Sequence, residues 1–89
     1  MEAIAVAERV SRRVEADVTI DCSGLPCPEP LRKARRAIEV LRIGQVLKII
    51  ATDSGAPDDI REWAQRAGRQ LIARGRHHHS YTFYIRRTG

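Results

Sequence analysis

Cys27 lies in the run Asp21 to Pro30, DCSGLPCPEP, with a proline directly after it and a second one at position 30. A thiolate can attack an electrophile, or it can take up a group and hand it on. Both tasks need an accessible sulfur whose ionisation is controlled. Proline suits the first position of a helix, because its missing N–H would be unpaired there anyway. The spacing therefore predicts a helix starting at Pro28, with Cys27 as its N-cap. The sulfur would then sit at the positive end of the helix dipole, which favours thiolate over thiol. Pro30 removes another donor and leaves the amides of Glu29 and Leu31 to face the sulfur or its adduct. Serine or aspartate is the ordinary cap, and cysteine there costs about 1 kcal/mol of helix stability. A residue that weakens its own helix points to another purpose.

A cysteine hydrolase needs a histidine base within reach. His77, His78 and His79 are the only histidines, they form a loop between two strand-like segments, and no acid is placed to orient them. A solvated loop is the plain reading. A metal site is disfavoured, because three adjacent histidines cannot all face one ion. A thiol without a base suits a carrier. Cys22 has two readings, a small core residue at the end of a strand or a resolving thiol for the Cys27 adduct. Asp53 reads as a loop residue capping the second helix or as a contact for a partner. Arg32, Lys33, Arg35 and Arg36 are either a solvated helix face or a docking face for an acidic partner.

The elements that must position these groups follow from periodicity. Asp17 to Cys22 alternates, with Val18, Ile20 and Cys22 on one face, so it reads as a strand. Ser23-Gly24 turns the chain. Leu31, Ala34, Ile38 and Leu41 form one apolar stripe of a helix that Gly44 ends. Val46 to Ala51 is a mostly apolar strand, and TDSGAPDD after it is a loop. A second helix buries Ile60, Trp63, Ala64 and Ala67, carries Asp58 and Asp59 in its first turn, and stops at Gly68. Gln70 to Arg76 and Tyr81 to Arg86 form a hairpin. The order is β-α-β-α-β-β: an α/β (α+β) two-layer sandwich, a four-stranded mixed sheet with two helices on one face. Function in such sheets sits at the carboxyl ends of the parallel strands. That edge carries the loops CSGLPC and TDSGAPDD, so Cys27 is expected near Asp53.

Eighty-nine residues make one small domain. Residues 1–16 are rich in helix formers and read as an N-terminal extension, a short helix or an arm, before the domain at 17–89. The net charge of +5 comes from fourteen arginines and two lysines against eleven acids, which favours acidic partners. Only four aromatic residues are present (Trp63, Tyr81, Phe83 and Tyr84), so base stacking has little to work with and direct nucleic-acid binding is disfavoured. Two cysteines make no disulfide framework. No apolar run approaches the ~20 residues of a membrane span, and Glu2 stands where a signal peptide carries positive charge. The reading is a cytoplasmic monomer with no membrane contact.

The text VTIDCSGLPCPEPLRKARRAI resembles the TusA-type sulfur-carrier proteins, the SirA-like family, whose hallmark is a C-P-x-P motif at the first helix. Cys27, Pro28, Glu29 and Pro30 match it. The resemblance extends through GQVLKIIATD, the D-I-x-x-W helix (Asp59, Ile60, Trp63) and YTFYIRR, about residues 17–87. It implies a two-layer β-α-β-α-β-β fold and transfer of sulfur as a persulfide on Cys27; in the reading from the residues, Pro28, Glu29, Pro30, Gly24 and Asp53 are expected to support it. It implies no metal and no organic cofactor. The implied partners are a donor enzyme of cysteine desulfurase or rhodanese type and a sulfur-acceptor protein. tRNA thiolation, molybdenum-cofactor assembly, selenium handling and sulfur oxidation are all open as pathways. Whether such a sulfurtransferase-like carrier counts as an enzyme is left open. The rival is a nucleic-acid-binding or regulatory module, since the strand order also resembles the C-terminal domain of initiation factor three and the pI is about 10.0.

Overall fold

A computed structural model of the chain describes residues 15–89. The expected extension at 1–16 lies almost wholly outside the described residues. The elements are β1 (Val18–Cys22), α1 (Glu29–Glu39), β2 (Val46–Ala51), α2 (Ala56–Arg66), β3 (Gln70–His77) and β4 (Ser80–Arg86). The sheet order is β1-β2-β4-β3. β1 and β2 are parallel, and β4 runs antiparallel to both of its neighbours. β1, β2 and β3 therefore point the same way and share one carboxyl edge.

Alternation decides which face each strand buries. Leu47, Ile49 and Ala51 of β2 meet Phe83 and Ile85 of β4 in a core with Ala34 and Ile38 of α1 and Ile60 and Ala64 of α2. Cys22 closes β1 at 0% exposure, and Val18 and Ile20 pack against the same core. The apolar stripe of α1 is as expected, with Leu31 only partly buried. In α2 the expected face shifts: Ala56, Ile60 and Ala64 are buried, Trp63 is half-buried and Ala67 is exposed. Ala67 lies past the helix as its C-cap, Trp63 still packs against the core from the side of the buried face, and α2 starts at Ala56, inside the segment read as loop, with Pro57 in its first turn.

Gly44 does not end α1. The helix stops at Glu39 with Val40 as its cap. Gly44 is instead the third residue of a turn closed by the Gln45 N–H on the Arg42 carbonyl (3.0 Å), and its φ of +93° is what a type II turn requires there. The end of α1 is secured from outside. Arg87, just past β4, donates to the carbonyls of Ile38, Glu39 and Leu41 at 3.2, 2.8 and 2.6 Å. These contacts add a side-chain donor to the carbonyls at and just past the helix C-terminus, of which Ile38 also accepts the Leu41 N–H at 3.3 Å. No described helix is long and apolar enough to cross a membrane.

Candidate functional site

The β1–α1 loop delivers Cys27 to the carboxyl edge. It opens with a turn closed by the Leu25 N–H on the Cys22 carbonyl (3.1 Å), with Gly24 at φ +80° where only glycine is unstrained. The Gly24 N–H donates to Thr52 Oγ1 at 2.8 Å, which ties this loop to the one after β2. Pro30 is among the fully buried side chains and anchors the start of α1.

The helix starts later than expected. Pro28 is the N-cap, Glu29 the first helical residue, and Pro30 falls within the first two positions. Cys27 therefore lies one residue before the cap and is joined to it by a cis Cys27–Pro28 peptide. The Glu29 amide does not face the sulfur. Its N–H is taken by the Pro26 carbonyl at 2.9 Å. Glu29 itself pairs with Arg32 at 3.2 Å on the exposed surface.

The sulfur looks at carboxylates instead. Cys27 is exposed, and its thiol donates a hydrogen bond to Asp59 Oδ2 in the first turn of α2. Asp53 stands behind it. One Asp53 carboxylate oxygen accepts the Gly55 N–H at 2.9 Å, an Asx-turn that leads into α2. Gly55 lies in close contact with both groups: a Cβ there would stand 3.0 Å from Asp53 Oδ2 and 3.8 Å from Cys27 Sγ. The hydrogen bond to Asp59, burial, and the charges of Asp59 and Asp53 push the Cys27 thiol up to about 11. The carboxylates thus work against the thiolate expected at a helix tip. A helix terminus carries about half an elementary charge, and here full carboxylate charges oppose it at shorter range. The site is an acidic spot on a basic protein.

Cys22 does not share the exposure of Cys27. It is buried at the end of β1, and burial raises its thiol above the ordinary value. Both cysteines are free. The histidine hairpin closes β3 onto β4 at the same edge, with all three side chains exposed. Arg32, Lys33, Arg35 and Arg36 are exposed along α1. Arg35 reaches a groove of about 340 Å³ between α1 and α2, shared with Leu31, Asp59, Trp63 and Arg66, so the basic face runs up to the thiol's own partner.

Asp53 was legible from topology, since its loop follows β2. Asp59 and Gly55 were not singled out as site residues. The signal was present one turn further along the chain, in the first turn of the helix that starts at the same edge.

A family model described as sulfurtransferase TusA matches residues 18–87. The chain belongs to the TusA family. Sulfur carrier protein TusA of Allochromatium vinosum is 33% identical over 72 residues, covering 81% of this chain and 95% of that one. A protein of Halobacterium salinarum described as a candidate sulfur carrier is 39% identical over 71 residues, covering 79% of this chain and 88% of that one. A SirA-like protein from Desulfitobacterium hafniense shares the fold, with a TM-score of 0.70 at 22% identity over 81% of this chain and 99% of that one. The CPEP run, the Asp53 turn and the Asp59 helix all fall inside the TusA match. The family makes the chain a sulfur carrier, and the four-stranded mixed sheet with two helices is the family's fold.

Proposed function

We propose that Cys27 relays sulfane sulfur as a persulfide, receiving it from a donor enzyme and passing it to an acceptor protein. The observation that carries this reading is the Cys27 sulfur itself: exposed at the functional edge, hydrogen-bonded to Asp59, and in the CPEP run of a chain in this family.

In loading, the Cys27 sulfur attacks the outer sulfur of the donor's persulfide. A new S–S bond forms on Cys27 and the donor's S–S bond breaks. The donor leaves as a thiolate that takes up the proton Cys27 gives up, so the exchange balances. Delivery is the same exchange onto an acceptor thiolate, so no external oxidant is needed. A hydropersulfide is a stronger acid than its parent thiol, so the loaded group is the more anionic one. Asp59 and Asp53 then act in two ways. They hold the empty thiol protonated, which protects it from oxidation, and they repel the loaded anion, which favours passing it on. Donors of cysteine desulfurase or rhodanese type fit this chemistry. The test is loading by such a donor, with uptake expected in the wild-type chain and none in Cys27→Ser.

The basic face of α1 docks the donor or the acceptor. Arg35 and Arg36 are exposed beside the groove that leads to Asp59. Changing both to glutamate should slow transfer about tenfold at low salt and flatten its salt dependence, because steering by surface charge is screened as ionic strength rises. Equal rates for the two proteins at low salt would reduce this face to plain solvation.

A further inference from the structure

The arginines of β3 belong to no part of the site above. β3 is an edge strand, and residues 74–77 are exposed. Its pairing with β4 shifts register between Leu71 and Ala73, and such a bulge re-aims the side chains that follow. Leu71 faces Ile85 before the shift. After it, Arg74 stands opposite Phe83 and Arg76 opposite Tyr81, on the helix-covered side of the sheet. Without the extra residue both arginines would point to the open side. Together with Pro57 of the first turn of α2, they line a hollow of about 300 Å³ over Tyr81 and Phe83.

The hollow is shaped in advance. The Arg76 guanidinium lies 5.5 Å from the Tyr81 ring centroid, and its Nε–H donates to the His78 carbonyl at 3.3 Å, so its remaining donors point outward in a fixed fork. Among the described residues, neither Arg74 nor Arg76 pairs with a carboxylate.

We propose that the edge of β3, unpaired among the described residues, takes up an extended, acidic segment of a partner protein, which adds as a further strand and sets carboxylates at alternate positions against Arg74 and Arg76. Strand addition supplies backbone hydrogen bonds, and pockets at alternate side chains supply selectivity. Same-face side chains repeat every ~6.6–6.8 Å on both strands, so residues i and i+2 of the incoming segment meet the two arginines in step. A second copy of this chain is the poorer occupant, because pairing two β3 strands would set arginines against arginines. Charge on an edge strand guards against self-association, and the same charge admits a partner of opposite sign. The edge lies on the thiol's side of the molecule, since Pro57 is two residues from Gly55, where an added Cβ would stand 3.8 Å from Cys27 Sγ. Giving this partner a part in sulfur transfer rests on the reading of Cys27 above, whereas its binding does not.

The test is an NMR titration of the full ¹⁵N-labelled chain with a peptide as long as the eight residues of β3, glutamate alternating with valine or threonine. A lysine-for-glutamate peptide serves as control. Amide shifts should centre on residues 74–77 and on Tyr81 and Phe83, and the lysine peptide should give none. Arg74→Glu with Arg76→Glu should weaken binding at least about tenfold, the fold being read from the same spectra. Cys27→Ser should bind as the wild type does, so peptide binding intact in a wild-type chain whose Cys27 takes up no sulfur would count against the persulfide reading and not against this one. No binding, shifts centred on α1, or equal affinity in the double variant would overturn the proposal. So would a concentration-dependent dimer through β3, or a single-stranded RNA occupying these residues where the peptide does not.

Discussion

Replacing Asp59 by asparagine is expected to make Cys27 about tenfold more reactive toward iodoacetamide near neutral pH. The wild-type thiol is held at about 11 against an ordinary value of 9.0, and the hydrogen bond to Asp59 is the largest cause. Below its pKa the thiolate fraction rises tenfold per pH unit, so a fall toward the ordinary value multiplies the reactive form up to about a hundredfold. A less basic thiolate is also a weaker nucleophile, with a Brønsted slope of about 0.4–0.5, which removes roughly half of that gain on the logarithmic scale. An asparagine amide can still donate to a thiolate, whereas the carboxylate only accepts. The pH profiles separate the two proteins. The wild-type rate should still be climbing above pH 9, and the variant's curve should turn over earlier. Superimposed profiles would mean that Asp59 does not control the thiol.

The largest loss of stability is expected at Ile60, the residue next to Asp59 and on the buried side of α2. It is 0% exposed and belongs to the core that joins both helices to the sheet. Ile60→Ala removes buried methyl and methylene groups and leaves a cavity, at a cost of about 2–5 kcal/mol. A small domain has about 5–15 kcal/mol to lose. Chemical denaturation should show a midpoint shifted far down, and Cys27 should lose its protection from alkylation at denaturant levels where the wild type keeps it. A shift under about 1 kcal/mol would mean that α2 closes the cavity by settling onto the sheet.

Much of this was legible because the signals were local and periodic. The alternation in DVTIDC and YTFYIR, the stripe from Leu31 to Leu41 and the proline beside Cys27 each depend on a few neighbouring residues. The right-handed crossover rule then brought two loops to one edge and put Asp53 near Cys27. The misses have physical causes of their own. Helix starts depend on cap geometry, and Ala56 and Pro57 can sit in a loop or in a first turn equally well. Gly44 serves a turn or a helix end with the same backbone freedom. The bulge in β3 leaves no mark in residues whose exposure varies so little. The carboxylate beside the thiol was the least legible feature, because a dipole can be read from one helix, while this group comes from another helix thirty-two positions along the chain.

The central claim is that sulfur rides on Cys27. Incubation of the full chain with a cysteine desulfurase and cysteine, followed by intact mass and peptide mapping without reductant, tests it most directly. The account predicts a gain of about 32 Da, removed by dithiothreitol, located on Cys27 and absent from Cys27→Ser. A gain located on the buried Cys22, or one that persists in Cys27→Ser, would contradict it.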